Sequence, residues 1–176
     1  SSFIISTDLF LLFFWTLSLN MVIKIKKTPN TKNFVLLGIF LGLALLSKYA
    51  AIYFILCFFI YVLLDKEFRN LLLFNYLKFI LCIFCIIFVI MPNIVWNINN
   101  SWVTFQHTSD NANFGNIKIN FLRGFEFLVI QILMLGPILF IANVVNYKKI
   151  NIKPNTKFLL IFSLPIFLIV FIEAVI

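Results

Sequence analysis

Residues 34–64 read FVLLGIFLGLALLSKYAAIYFILCFFIYVLL, about thirty apolar residues interrupted only by Ser47, Lys48 and Tyr49. A helix rising about 1.5 Å per residue needs roughly 20 residues to cross a hydrocarbon core of about 30 Å. The run is too long for one crossing and a little short for two full ones. It predicts two short helices that meet at a turn holding Lys48, with one long tilted helix as the rival reading. At the turn, the ammonium reaches water or a bound anion.

The rest of the chain agrees. Of its 176 residues, 63% are hydrophobic and 11% charged, and mean hydropathy is +1.10, which excludes a soluble globular domain. Four further apolar stretches complete the pattern, giving six segments over residues 3–23, 34–46, 50–64, 71–95, 121–146 and 158–176. No alternation at period two appears, which argues against a transmembrane barrel. The expected fold is therefore all-α, a polytopic transmembrane helical bundle of about six spans. Residues 1–176 form part of one transmembrane domain. An apolar span begins at once after Ser1 and another ends the chain, so both ends read as truncated, an internal piece of a longer protein.

Charge sets the expected orientation, because Lys and Arg in short loops resist translocation. Lys24, Lys26, Lys27 and Lys32 lie in one loop, Lys66 and Arg69 in a second, and Lys148, Lys149, Lys153 and Lys157 in a third. Placing all three in the cytoplasm puts the Lys48 turn and residues 96–120 on the opposite face. Net charge +8 is then explained by topology and calls for no nucleic-acid partner. Cys57, Cys82 and Cys85 all fall inside apolar segments without metal-ligand spacing and read as packing residues.

Polar groups with chemical potential are few. Lys48 inside an apolar run either snorkels to water or binds a phosphate or carboxylate as a point charge. Asp8, near the outer end of the first span, serves either as a helix-start residue or as a buried carboxylate able to pair, bind metal or take a proton. Residues 91–115, MPNIVWNINNSWVTFQHTSDNANFG, form the one long polar stretch and hold the single histidine. His107, Asp110, Asn111 and Asn113 suit polyol recognition, and Trp96, Trp102 and Phe105 suit sugar stacking, although interfacial aromatics are common to membrane proteins. Arg123 and Glu126 share a helix face and are placed to pair, with Gln131 further along the same span.

Taken in order, LLGIFLGLALLSKYAAIYFIL (residues 36–56), the 91–115 stretch and FLRGFEFLVIQILMLGPILF (residues 121–140) resemble the bacterial membrane glycosyltransferases of family 39, related to protein O-mannosyltransferases and the aminoarabinose transferase of lipid A. STDLFLLFFWTLSL (residues 6–19) resembles that family's Pro-Asp-Ala helix start, with Thr7 where Pro is more usual. The resemblance implies a C-type (GT-C) fold in the bacterial inner membrane. It implies transfer of a sugar from a polyprenyl-phosphate donor to a lipid, protein or polysaccharide acceptor at the periplasmic face. It maps Lys48 to the position facing the donor phosphate and Asp8 to an acidic helix-start position. His107, Asn111, Asn113, Glu126 and Gln131 map to characteristic polar positions near the substrate. It leaves a divalent metal open, without assigning one. It also implies that the principal catalytic Asp lies in an outer loop upstream of this stretch, so that the fragment alone is inactive. The competing functional reading is a secondary transporter or flippase for a lipid-linked or small anionic solute, with Asp8 and Lys48 as a mid-membrane binding pair.

Overall fold

A computed structural model describes residues 7–104, 106, 120–136, 139–141, 145 and 154–175. The chain divides into two compact units, Ser1–Thr108 and Ser109–Ile176. Every described regular element is helical.

The first unit contains α1 (Thr7–Lys27), α2 (Thr31–Ser47), a 3₁₀ turn at Tyr49–Ala51, α3 (Ile52–Leu64), α4 (Lys66–Phe74) and α5 (Tyr76–Asn99). The run that decides the fold is two helices, as its length requires. Lys48 stands between them in extended backbone, with φ −161° and ψ 134°. The single tilted helix is thereby excluded.

Helix α2 is the centre of this unit. Along α1 the buried residues are Ser18, Met21, Val22 and Ile25, the 3–4 spacing that defines one helix face. Along α2 they include Phe34, Leu37, Gly38, Leu41 and Gly42. The two glycines, four apart, let α5 approach with almost no side chain between the backbones. A Cβ on Gly38 would lie 2.4 Å from the carbonyl oxygen of Cys82, and one on Gly42 would lie 2.6 Å from Cβ of Val89. Pairing of Gly38 with Cys82 and Gly42 with Val89 makes α2 and α5 run parallel. Asn30, which accepts from the Asn33 amide at 2.9 Å, caps the start of α2.

Helix α4 leaves the axis of the preceding helical pair by 102°. Its buried residues are Phe68 and Leu72, while Lys66, Glu67 and Arg69 carry its charge. Phe68 packs on Tyr61 and Phe58, with ring centroids 4.9 and 5.9 Å away. Asp65 fixes the corner twice, accepting from the Phe68 amide at 3.0 Å and from Lys26 Nζ at 2.6 Å. Lys78 closes the same end by donating to the Pro29 carbonyl at 2.7 Å.

The second unit pairs α6 (Phe121–Leu135) with α7 (Pro154–Val175). Gly124 meets Val175, while Phe127 meets Phe167 and Phe171 at 5.8 and 6.2 Å between ring centroids, so these helices run antiparallel. The Asn120 amide donates to the Val175 carbonyl at 2.6 Å, and Asn120 Oδ1 accepts from the Leu122 and Arg123 amides.

Each of the six apolar segments carries a helix. Among the described residues, three helical stretches, Thr7–Lys27, Tyr76–Asn99 and Thr156–Val175, are long and apolar enough to cross a membrane, and a fourth span arises if the bent pair from Tyr49 to Phe74 counts as one. α5 shows why water is not the surrounding solvent: Phe84 and Phe88 are 61% and 66% exposed, and Ile80, Ile83 and Ile87 are exposed beside them. Such a helix keeps its backbone bonded internally and presents hydrocarbon outward, as lipid demands.

The sequence reading is corrected at two boundaries: residues 66–70, read as a loop, begin α4, and residues 96–99, assigned to the outer loop, continue α5 beyond Pro92 to Asn99. Proline removes one amide donor, yet the following residues remain helical because Asn93 and Asn97 are anchored to a neighbouring element.

Candidate functional site

At the end of the first unit opposite the Lys26–Asp65 corner, Asp8, Lys48, Tyr49, Asn93 and Asn97 come together. α1 begins there, α2 ends there and α5 finishes there. Asp8 lies in the first turn of α1, where the helix N-terminus favours a carboxylate. Lys48 Nζ donates to Asp8 Oδ1 at 2.6 Å, with the two side chains 49% and 56% exposed. The sequence placed both on one face and the structure joins them. The ammonium remains accessible because half its surface is open.

Immediately beneath, Tyr49 Oη donates to Asn93 Oδ1 at 2.8 Å. Asn97 Nδ2 donates to Tyr49 Oη at 3.3 Å, to the Asn93 carbonyl at 2.9 Å and to Asn93 Oδ1 at 3.2 Å. Asn97 is fully buried, and its Oδ1 has no hydrogen-bond partner among the described residues. This triad ties the α2–α3 break to α5. Sequence reading passed over it because Asn97 was assigned to the outer loop and Asn93 to the end of an apolar span. Their spacing of four residues, which puts them on one face of a helix, is the signal that finds them.

Beside the triad lies an open groove of about 320 Å³ lined by Leu45, Leu46, Ile52, Ile90 and Ile94 together with Tyr49 and Asn93. Its walls are apolar apart from those two side chains. A groove of this kind accepts hydrocarbon, and its polar rim follows directly after Lys48.

Past α5 the chain turns sharply. Ser101 and Trp102 have φ of 56° and 58°, left-handed backbone that non-glycine residues rarely adopt. The Trp102 amide donates to the Asn97 carbonyl at 2.9 Å, which satisfies the end of the helix and sets the direction of the following segment.

His107, Asn111 and Asn113 lie outside the described residues. Glu126 and Gln131 are on α6 in the second unit, Glu126 exposed and Gln131 half-buried. Arg123 and Glu126 do not form an ion pair among the described residues, in contrast to the sequence expectation; both are exposed side chains with little to restrain them. No three His, Cys, Asp or Glu side chains gather into a metal site among the described residues.

A chain whose described elements are all helical and whose long helices present apolar side chains outward belongs to the class of polytopic helical membrane proteins. Residues 1–96 match the family model described as dolichyl-phosphate-mannose-protein mannosyltransferase, and the chain belongs to that family. The lipid A galacturonosyltransferase RgtD of Rhizobium johnstonii is 30% identical over 99% of the chain. The chain spans 37% of that relative's length. No solved structure matches. The resemblance drawn from residues 6–19, 36–56, 91–115 and 121–140 is therefore borne out at the level of the family.

Proposed function

We propose that this chain forms the donor-phosphate end of a glycosyltransferase that uses a polyprenyl-phosphate-linked sugar at the periplasmic face of the bacterial inner membrane. The carrying observation is the half-exposed Lys48 ammonium, held by Asp8 at 2.6 Å next to an apolar groove. In the proposed reaction an acceptor hydroxyl attacks the anomeric carbon of the donor. The bond from that carbon to the phosphate oxygen breaks, the acceptor proton passes to a carboxylate base, and polyprenyl phosphate departs. Lys48 binds the phosphate of the donor and offsets the charge that grows on it as the bond breaks, an effect that strengthens toward the transition state.

In the donor-free state Asp8 supplies the counter-ion. A doubly charged departing phosphate competes well for the same ammonium, and the partly exposed pair is cheap to open. The base is assigned to the longer protein rather than to Asp8, whose carboxylate is engaged by Lys48. His107, Asn111, Asn113, Glu126 and Gln131 remain the proposed sugar and acceptor contacts. The name of the 30%-identical relative brings a lipid acceptor to the front, ahead of protein or polysaccharide.

An Asp–Lys pair beside an apolar groove also suits a carrier for an anionic solute, and family membership is what favours the transferase. The deciding experiment uses the full-length protein in membranes with a radiolabelled polyprenyl-phosphate sugar. Sugar incorporated into an extractable acceptor supports the reading. Movement of intact donor across the bilayer without a new glycosidic bond supports the carrier instead.

A further inference from the structure

We propose that the Tyr49–Asn93–Asn97 triad, with Asn97 buried and its two partners half-buried, is a positioning device for Lys48, acting through the backbone of the α2–α3 break; this rests on the phosphate-binding role proposed above. The break is short and its backbone is fully specified. The Lys48 amide donates to the Ala44 carbonyl at 3.0 Å, and the Lys48 carbonyl accepts from the Ala51 amide at 3.0 Å. Between those bonds Lys48 is extended, with neither helix dictating where its side chain emerges. The side chain of the next residue, Tyr49, ties this stretch to α5 through Asn93 at 2.8 Å and Asn97 at 3.3 Å.

Asn97 has no exposed surface, so it touches no substrate and acts only through its neighbours. The two N–H groups of the buried Asn97 amide are shared among Tyr49 Oη, the Asn93 carbonyl and Asn93 Oδ1, which orients the Tyr49 and Asn93 side chains. Loss of a member leaves a buried donor or acceptor unpaired in surroundings where water is scarce, so the arrangement is all or nothing. The glycine contacts at Gly38 and Gly42 set the spacing of α2 and α5, and the triad converts that spacing into a fixed location for the ammonium. Tyr49, Asn93 and Asn97 are thus positioning residues, and Lys48 is the group that meets the phosphate.

The test is a double-mutant cycle on the full-length protein, reading kcat/KM for a polyprenyl-phosphate sugar in Tyr49→Phe, Lys48→Ala and the double variant. Tyr49→Phe removes one oxygen and keeps the ring. It is expected to lower kcat/KM about tenfold when Lys48 is present and less than about twofold when Lys48 is already gone. If turnover in Lys48→Ala falls below detection, the same cycle is read as the affinity of each variant for the polyprenyl-phosphate sugar. Should Tyr49→Phe not yield folded protein, Asn93→Ala removes the acceptor of the same bond and is read in the same cycle. An equal loss in both backgrounds assigns the triad to general stability and overturns the proposal, as does an unchanged rate for Tyr49→Phe. A Lys48→Ala protein with full activity overturns the phosphate-binding role itself, and the positioning role with it.

Discussion

Lys48 and Asp8, forty positions apart in sequence, meet at 2.6 Å where the first helix begins and the second ends. Neither is deeply buried, since about half of each side chain remains open. Such a pair contributes little to folding, at most about 1 kcal/mol, and leaves a cation ready to change partners. Asp8→Asn is therefore expected to leave the thermal midpoint of the detergent-solubilised protein within about 3 °C of the parent. A fall of ten degrees or more would show the pair to be a structural clamp.

The approach of α2 to α5 rests on the absence of a side chain at Gly38. A Cβ there meets a backbone carbonyl oxygen at 2.4 Å, which a rotamer change does not relieve. Gly38→Val is expected to destabilise the protein by about 3 kcal/mol, at the upper end of overpacking costs. Graded SDS unfolding followed by circular dichroism reads it directly. A variant as stable as the parent contradicts the close helix contact.

Asp65 links acidity to the corner between α3 and α4. Burial pushes its carboxyl up, but the Lys26 ammonium and the Phe68 amide outweigh this and hold it below the ordinary value of 3.8. A carboxyl lowered in the folded state contributes stability that is complete above its unfolded value and fades as pH falls through the folded one. The gap in thermal midpoint between the parent and Asp65→Asn is expected to be constant from pH 7 to pH 5 and to close below about pH 4. Melting curves across that range check it, and a gap unchanged at pH 3 counts against the Lys26–Asp65 link.

Orientation is open to labelling. Lys32→Cys lies in the cation-rich loop and Asn100→Cys follows the end of α5, at opposite ends of the first unit. With Cys57, Cys82 and Cys85 replaced by Ser or Ala, a membrane-impermeant maleimide applied to intact cells is expected to modify Asn100→Cys and spare Lys32→Cys. The reverse pattern inverts the membrane and moves the Lys48 end to the cytoplasm.

The helices were legible because hydrocarbon length and loop charge are properties of composition, which a sequence displays openly. The interruption Ser47–Lys48–Tyr49 announced the turn, and the same turn brings Lys48 to Asp8. The triad was not legible at the same level. Asn97 looks like a loop residue in a stretch rich in Asn, and its bonds to Tyr49 and to the Asn93 carbonyl tie it to helical backbone beyond Pro92. The bend before α4 was hidden for a similar reason: DKEFRN reads as a loop, while the Asp65 cap and the burial of Phe68 turn it into a helix at 102°. The family motifs carried the functional assignment further than geometry did, because they preserve order across residues that local periodicity treats separately.

The central claim is that Lys48 meets the phosphate of a lipid-linked sugar. Its most direct measurement is transfer from a polyprenyl-phosphate sugar by the full-length protein, comparing the parent with Lys48→Ala at matched amounts of folded protein. Loss of a buried or desolvated charge-assisted contact is worth about 2–3 kcal/mol, so kcat/KM is expected to fall about 30- to 150-fold. Transfer by Lys48→Ala at the parent rate would contradict the account.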